Sequence, residues 1–354
     1  MEINEKIEKA ILLIIEEYLK DEKEWYLGFS GGKDSTLVLL LCFIALNRIN
    51  DKCHKPIQVV YCDTNVEIPI IDKHVHVTLA NISLSAKKCN IPLYTNILKP
   101  EIDKRFFSKL IGRGYPPPTN IFRWCTDVMR IDPMRIFYSK KSNNRIVLLG
   151  VRKGESKERD KTVEKYLLKD KSNFLSQLDN KNTQIFSTII DFSTKDVWLS
   201  LQKLDQVASV SVQTLMSLYG LPNNFSKLTD IEKYTNRFGC WVCTVVRKDK
   251  SVQNLIQQGY SELIPLLNFR DWLLEIRDNK NYRCEFRRNG NQGLGPFTLE
   301  ARQIILDKLL QVQDISNLEL ITQDELLYIY NQWENDANNP KYVEKEMYLT
   351  TAST

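Results

Sequence analysis

Short apolar segments alternate with longer segments of helical periodicity through residues 24–204. β-branched and aromatic residues fill the short segments, and this pattern predicts strands. The predicted strands are EWYLGF (24–29), IQVVYC (57–62), IPLYTNIL (91–98), NRIVLLGVR (144–152) and TQIFSTIIDF (183–192). The predicted helices are an amphipathic segment at 1–20, STLVLLLCFIALNRI (35–49), IIDKHVHVTLANISLSAKKCN (70–90) and KDVWLSLQKL (195–204), the last capped by Thr194. Strands that alternate with helices predict an α/β fold with a doubly wound, mostly parallel sheet.

The pattern changes in the second half of the chain. Residues 153–182 are polar and dense in charge, which indicates a solvated loop and a short helix. From about residue 205 the strand signals fade, and the chain is expected to be helical, with loops around 221–250 and 281–297. We therefore expect two domains, an α/β domain over 1–204 and a mainly helical region over 205–354.

Composition narrows the class of protein only modestly. A net charge of +5 suits a protein that meets nucleotides or nucleic acid, although many other proteins share it. The longest apolar run, TLVLLLCFIAL (36–46), is too short to span a bilayer, so we expect no membrane partner. The first residues have no signal-peptide pattern, so a cytoplasmic location is expected.

The string SGGKDS (30–35) joins the first predicted strand to the next helix. It is not a Walker A loop, because Gly28 and Gly32 are separated by three residues and Asp34 follows Lys33. Glycine amides at a helix N-terminus still suit a phosphate, since no Cβ obstructs its approach. Lys33 offers a charge for a β- or γ-phosphate, and Asp34 a ligand for Mg²⁺ or a partner that orients Lys33. The structural alternative is a simple glycine turn with a capped helix.

SGGKDS resembles the PP-loop of the ATP pyrophosphatases and of their relatives, the adenylyl-sulfate (PAPS) reductases. YCDTNVEIP (61–69), LLGVRKGESKERD (148–160) and IIDFSTKDVWLSL (189–201) are similar to further segments of that family. RWCTDVMRIDP (123–133) and RFGCWVCTVVRKDKSV (237–252) resemble the DndC family of DNA phosphorothioation sulfurtransferases, or its single-strand counterpart SspD. The similarity runs discontinuously over about residues 24–312.

The resemblance implies ATP and Mg²⁺ as cofactors, with cleavage of ATP between its α- and β-phosphates. Lys33, Asp34 and Arg152 are the expected catalytic residues. Arg152 follows a predicted buried strand, where a guanidinium can clamp a phosphate bidentately. The residues expected to bind the nucleotide are Ser30, Gly31, Gly32, Lys33, Asp34, Ser35, Asp63, Thr64, Gly150 and Arg152.

Cysteine spacing adds a second chemistry. Cys240 and Cys243 form a C-x-x-C pair, which holds iron or zinc or acts as a redox pair. Cys125 is a candidate third ligand, and Cys284 is the downstream candidate for a fourth, so that the helical region contributes most of the cysteines. Four thiolates suit a [4Fe–4S] cluster, which the resemblance implies, and a zinc site remains the alternative.

The resulting hypothesis is an ATP-dependent sulfurtransferase that acts in DNA backbone phosphorothioation. The resemblance implies as partners DNA, a cysteine desulfurase that donates sulfur, and other subunits of a phosphorothioation complex. Arg283, Arg287 and Arg288 are candidate contacts for DNA phosphates or for structural pairing. The alternatives are a tRNA thiolation enzyme, a PAPS/APS reductase-like enzyme and a non-catalytic ATP- and DNA-binding assembly factor.

Overall fold

A computed structural model describes residues 2–139, 144–168, 171–176, 183–222, 234 and 238–337. The described residues belong to two compact units that are interleaved in sequence. The first unit comprises Met1–Cys62, Ile70–Leu98 and Arg135–Phe238, and the second comprises Asp63–Pro69, Lys99–Met134 and Gly239–Thr354. Residues 205–222 thus belong to the same unit as the sheet.

The first unit is built on a seven-stranded sheet in the order β3-β2-β1-β4-β7-β6-β5. Its strands are β1 (Glu24–Gly28), β2 (Ile57–Cys62), β3 (Leu93–Leu98), β4 (Arg145–Leu148), β5 (Leu167–Leu168), β6 (Lys171–Ser176) and β7 (Thr183–Phe186). β3, β2, β1, β4 and β7 are parallel, whereas β6 pairs antiparallel with both β7 and β5. The predicted doubly wound, mostly parallel α/β fold is confirmed.

Helices cover the sheet and make up most of the second unit. They are α1 (Ile3–Leu19), α2 (Lys33–Arg48), α3 (Pro69–Lys88), α4 (Trp124–Thr126), α5 (Asp132–Ser139), α6 (Lys157–Tyr166), α7 (Thr194–Lys203), α8 (Val212–Leu218), α9 (Lys250–Gln257), α10 (Ile264–Ile276), α11 (Leu299–Ser316) and α12 (Gln323–Ala337). Two π-helical turns, Ser108–Gly112 and Asp127–Ile131, lie in the second unit. No helix of the described residues combines the length and the apolar character that crossing a membrane demands.

Burial explains why α2 lacks a polar face. It carries an almost continuous apolar run from Leu37 to Leu46, and nearly all of these side chains are buried. The strand β1 beside it is equally apolar, with Trp25, Tyr26 and Leu27 buried. Burial at about 25 cal/mol per Å² of apolar surface makes this helix–strand pair a large part of the core. The turn between them is therefore held from both sides.

Two sequence-based expectations are corrected. Residues 153–182 are more than a loop and a short helix, because β5 and β6 follow α6. Phe174 on β6 is buried and stacks on Phe186 with ring centroids 4.6 Å apart, a contact that the surrounding charges obscure in the sequence. Thr194 is not the cap of α7: Ser193 is the N-cap, and its hydroxyl accepts from the Asp196 amide at 3.1 Å.

The predicted helical C-terminal part is present as α9 to α12. In the second unit, α10 packs on α11 through buried residues such as Leu273 and Leu309. An irregular excursion over 283–297 precedes α11, and isolated β-bridges within it pair Arg283 with Phe297 and Phe286 with Gln292. Of the loop predicted around 221–250, residues 223–233 and 235–237 lie outside the described part of the chain.

Candidate functional site

The strand order reverses at the centre of the sheet. β1 lies between β2 and β4, so the connections leaving β1 and β4 diverge at their carboxyl ends. Such a switch point opens a crevice in which α/β proteins bind ligands. SGGKDS leaves β1 at this edge, and Gly150–Arg152 leaves β4 at the same edge.

The loop that follows β1 depends on glycine for its shape. Gly31 has φ +72°, and a Cβ at this position would lie 2.1 Å from Cγ2 of Val75. Gly32 is the extended N-cap of α2, so the amides of the first turn face the crevice end of the helix. Ser35 ties the loop together, because its hydroxyl donates to the Gly32 carbonyl at 3.0 Å and accepts from the Ser30 amide at 3.2 Å. Ser30, by contrast, is exposed.

Three charged side chains meet at the start of α2. Lys33 Nζ donates to Asp34 Oδ2 at 2.9 Å, and Arg152 Nε donates to Asp34 Oδ1 at 2.6 Å. The side chains of Lys33 and Arg152 are each 3 % exposed, whereas Asp34 is 16 % exposed. The Asp34 carboxylate therefore pairs with two nearly buried cations.

Gly150 makes this cluster possible. A Cβ at Gly150 would lie 2.8 Å from the carbonyl carbon of Asp34, so only glycine lets the end of β4 approach α2 this closely. Arg152 is held further by its bond to the Phe192 carbonyl at 2.9 Å and by Glu155 at 3.8 Å. Glu155 in turn pairs with Arg159 at 2.8 Å, the i,i+4 pair visible in the sequence.

Tyr219 is a member of this site that the sequence analysis missed. Its hydroxyl accepts from the Lys33 amide at 3.3 Å, and Lys33 Nζ lies 5.8 Å from its ring centroid. Burial raises the pKa of Tyr219 above its usual value, so the hydroxyl stays protonated. Trp198 packs edge-on against its ring. No local signal marks Tyr219, because it lies 186 residues from Lys33 in the chain.

Asp63 and Thr64 belong to the second unit. Asp63 is buried, accepts from the Asn65 amide at 2.9 Å and pairs with Lys99 at 3.0 Å, which makes it a turn-forming carboxylate. Thr64 is fully buried, and its hydroxyl donates to Glu67 at 2.9 Å and lies 3.7 Å from Cys240 Sγ. The side chain of Thr64 thus adjoins a cysteine.

Two side chains that the sequence analysis did not select, Glu67 and Arg130, contact Cys240. Glu67 pairs with Cys240 as a β-bridge, and its carboxylate reaches the thiol at 4.0 Å. Arg130 contacts both, at 3.0 Å from the Glu67 carboxylate and 3.8 Å from the Cys240 sulfur. Burial and then the Glu67 carboxylate raise the pKa of Cys240 to about 12, and the Arg130 charge opposes them. The Cys240 sulfur is therefore a protonated thiol unless a metal takes the place of its proton.

The backbone after Cys240 is clamped by arginine. The Cys243 amide donates to the Cys240 carbonyl at 3.0 Å and closes a tight turn. Arg270 has no exposed surface and donates to the Cys243 carbonyl at 2.8 Å, to the Arg247 carbonyl at 2.9 Å and to the Val246 carbonyl. This guanidinium fixes the turn that carries the C-x-x-C pair.

A second arginine ties the turn to the segment that leads into Cys125. Thr244 donates to the Pro118 carbonyl at 2.7 Å, and Arg277 donates to the Thr244 carbonyl at 3.1 Å and to the Pro118 carbonyl at 3.4 Å. Burial raises the pKa of Cys125, and the neighbouring Cys243 raises it further. Cys125 and Cys240 are therefore each close enough to Cys243 for its charge to raise their pKa.

The donor set fits a metal group held by thiolates. All four candidate cysteines are free thiols, yet no three of their sulfurs come within 4.8 Å of one another in the described chain. Cys284 lies in the 283–297 excursion, where its amide donates to the Pro296 carbonyl at 2.9 Å.

Comparison with known proteins agrees with the fold. The phosphoadenosine phosphosulfate reductase domain matches residues 24–246. Two uncharacterized proteins of Methanocaldococcus jannaschii are similar: MJ0973 is 28 % identical over 274 residues, 76 % of this chain and 52 % of the relative. MJ0066 is 30 % identical over 148 residues, 42 % of this chain and 26 % of the relative. The chain thus spans about half the length of the first of these proteins.

Two solved structures are distantly similar. One is the phosphoadenylyl-sulfate reductase of Candida auris in a phosphate complex, 12 % identical over 68 % of this chain and 94 % of that chain, with a TM-score of 0.37. The other is the U34-tRNA thiolase NcsA of Methanococcus maripaludis with its [4Fe-4S] cluster, 13 % identical over 82 % of this chain and 85 % of that chain, with a TM-score of 0.38.

Fold and site together define an α/β protein with buried lysine and arginine side chains beside a glycine-rich turn at its switch point. The chain belongs to the phosphoadenosine phosphosulfate reductase family. The family predicted from SGGKDS is thereby confirmed at this level, and members of this family are enzymes.

Proposed function

We propose that this protein is an ATP α–β pyrophosphatase that activates a DNA backbone phosphate for replacement of oxygen by sulfur. The observation that carries the proposal is the nearly buried Lys33–Asp34–Arg152 cluster at the switch point. Two nearly buried cations suit a polyanionic ligand, because a triphosphate can replace the Asp34 carboxylate as their common partner.

The residues of the first unit act on ATP by position and charge. Lys33 and Arg152 bind the oxygens of the β- and γ-phosphates, and the amides of Gly31 and Gly32 contribute the positive end of α2. The negative charge on the departing pyrophosphate grows as the α–β bond breaks. Cations that are already desolvated stabilise this charge more strongly than they would in water. The two buried side chains therefore lower the barrier most at the step that releases pyrophosphate.

The proposed chemistry has two steps. An oxygen of the DNA phosphate attacks the α-phosphorus of ATP, the α–β bridging bond breaks, and pyrophosphate leaves with the electron pair. A sulfur nucleophile then attacks the DNA phosphorus and expels AMP. If the sulfur arrives as a persulfide, two electrons from a reductant release it from its carrier. Asp34 is the residue that would hold Mg²⁺, which would neutralise phosphate charge.

The cysteines are proposed to serve the second step. Cys125, Cys240 and Cys243 would hold a [4Fe–4S] cluster, and Cys284 is the proposed fourth ligand. Such a cluster would bind and pass on sulfur. Arg130 faces the Cys240 sulfur, and Arg270 holds the turn that carries Cys240 and Cys243.

The proposal extends to partners and organisation. The sulfur donor would be a cysteine desulfurase, and other subunits of a phosphorothioation complex would select the DNA. We place the reaction in the cytoplasm, where thiols remain reduced. Residues 1–204 would supply the nucleotide chemistry, and 205–354 would supply most of the cysteine ligands.

Pyrophosphate release from ATP and Mg²⁺, with and without DNA, tests the proposal. Lys33→Ala and Asp34→Asn should each reduce release about 100-fold or more, since both remove preorganised charge. Lys153→Ala is the matched control, because Lys153 is exposed and pairs only with the exposed Asp191 among the contacts seen. Release that survives both loop variants would contradict the proposal, and no release from wild-type protein would favour a binding-only protein.

Mass spectrometry of digested nucleic acid identifies the product. Anaerobically prepared protein with a desulfurase and a reductant should raise the mass of a DNA dinucleotide by the sulfur–oxygen difference. A mass shift confined to tRNA would assign the protein to tRNA thiolation instead.

A further inference from the structure

A turn in the second unit presents two apolar side chains to solvent. Thr119 and Phe122 close the turn, because each donates its amide to the other residue, at 3.2 Å to the Phe122 carbonyl and at 3.0 Å to the Thr119 hydroxyl. Ile121 at the tip is 99 % exposed, and Phe122 is 47 % exposed. Arg123 follows and is also exposed. Because hydrogen bonds fix this turn, its exposed apolar side chains form an ordered surface of the kind that marks an interaction site.

Aromatic and cationic groups extend this tip into a surface. The ring of Phe122 lies within 13° of parallel to that of Tyr115, with centroids 6.5 Å apart. Arg288 Cζ lies 5.4 Å and Lys109 Nζ 5.6 Å from the Tyr115 centroid. We call Lys109, Tyr115, Ile121, Phe122, Arg123 and Arg288 the aromatic platform.

The platform is anchored on both of its sides. Arg288 lies in the 283–297 excursion, and its guanidinium donates to the Arg113 carbonyl. Tyr115 packs edge-on against Trp124, whose indole donates to the Pro116 carbonyl at 2.9 Å. Trp124 immediately precedes Cys125, so the platform adjoins the first of the proposed cluster ligands.

The charge around the platform is positive. Burial lowers the pKa of Lys109, and Arg113, Lys104 and Arg288 lower it further, while Asp103 acts in the opposite direction. Besides Asp103, the acidic residue Glu285 lies in the 283–297 excursion, close in sequence to the exposed pair Arg287 and Arg288. Cations therefore outnumber acids here, which suits an anionic partner that also carries flat apolar groups.

We propose that the aromatic platform binds unpaired nucleotides of a DNA strand, with a base stacked on Phe122 and the adjoining phosphates on Arg288, Arg123 and Lys109. Nucleic acid combines both features that the surface matches, planar bases and a polyanionic backbone. Paired bases are buried in the duplex stack, so a protruding ring such as Phe122 reaches a base face only when the strand is locally open. The inference rests on the proposed function, which supplies DNA as the substrate.

Binding of labelled oligonucleotides, measured by fluorescence anisotropy without ATP, tests the proposal. A 15-nucleotide DNA strand should bind wild-type protein more tightly than its duplex. Phe122→Ala should weaken binding of the strand about tenfold, and Phe122→Trp should restore it, because one base–ring stack is lost and regained. Arg288→Ala should reduce the slope of log affinity against log salt by about one.

Tyr94→Ala is the matched control, since Tyr94 is 55 % exposed on β3 and should leave affinity unchanged. Equal circular dichroism and melting temperature would show that each variant is folded. Unchanged affinity in Phe122→Ala, an equal loss in Tyr94→Ala, or a duplex that binds equally well would overturn the platform. An RNA strand that binds more tightly than DNA and depends on Phe122 would overturn the choice of DNA.

The two proposals fail separately. Pyrophosphate release by the wild-type protein, together with weaker DNA binding by Phe122→Ala, supports both proposals. Release without any effect of Phe122 removes the platform alone, whereas Phe122-dependent binding without release removes the enzymatic proposal alone.

Discussion

Removing the Arg152 guanidinium is the most direct test of the Lys33–Asp34–Arg152 cluster. Arg152→Ala removes the bond of 2.6 Å to Asp34 and the bond of 2.9 Å to the Phe192 carbonyl. Asp34 keeps Lys33, and Glu155 keeps Arg159, so neither acid is left without a cation. The neighbouring Lys153 is 46 % exposed and pairs with an exposed Asp191, which makes Lys153→Ala its matched control.

The expected loss of stability follows from these contacts. A charge-assisted bond contributes about 1.5–3 kcal/mol, and a buried carbonyl left unpaired costs about 1–3 kcal/mol. Breaking a buried ion pair costs up to about 5 kcal/mol, which bounds the sum. We therefore expect Arg152→Ala to lower the free energy of unfolding by about 3–5 kcal/mol. Lys153→Ala should lower it by less than about 1 kcal/mol, because its pair is exposed to solvent.

Urea denaturation and pyrophosphate release measure the two consequences. Release by Arg152→Ala should fall about 100-fold at saturating ATP under conditions in which the variant is folded. Arg152→Lys should recover part of the stability but little of the activity, because one ammonium does not reproduce the guanidinium fork. The reasoning is refuted if Arg152→Ala and Lys153→Ala lose equal stability, or if Arg152→Ala releases pyrophosphate at the wild-type rate.

Two further predictions concern other parts of the chain. Arg270→Lys keeps a positive charge but loses at least two of three bonds to backbone carbonyls, so unfolding free energy should fall by about 3 kcal/mol, and iron retained after anaerobic reconstitution should fall with it. Glu275→Ala, at an exposed position of the same helix, should change both by little, and equal iron content in the two variants would contradict the clamp. Burial lowers the pKa of His74 to about 4, below the value of about 6.5 in an unfolded chain. The unfolded chain therefore takes up the proton first, and stability that is complete above pH 6.5 should decline by about 1.4 kcal/mol per pH unit as the pH falls toward 4. His74→Leu should flatten this decline in urea titrations, and an unaltered pH dependence would show that His74 does not cause it.

The order of the elements in the α/β half could be predicted because its signals are local. The central strands β1, β2 and β4 are largely buried and are therefore nearly continuous apolar runs. The SGGKDS turn was also predictable, since glycines at a strand-to-helix junction follow one another in the chain. β6 was missed because its burial depends on Phe186, a partner on another strand.

Partners that are distant in sequence could not be predicted. Arg152 was selected through its strand-end position, but its bond to Asp34 joins residues 118 apart, and only the strand order creates it. Glu67 and Arg130 lie inside segments that were noted for other reasons, and nothing local marks them as neighbours of Cys240. Tyr219 likewise lacks any pattern that would connect it with Lys33.

The fold class, the family and the kinds of side chain available to the chemistry could all be predicted from the sequence, because hydrophobic period, glycine turns and cysteine spacing are short-range properties. Only the tertiary structure shows which of these side chains form ion pairs or hydrogen bonds with one another. It showed that the Asp34 carboxylate pairs with both Lys33 and Arg152, and that the Thr64 hydroxyl lies 3.7 Å from Cys240 Sγ. Such contacts depend on how strands are ordered and how loops pack, and both arise from interactions between residues far apart in the chain.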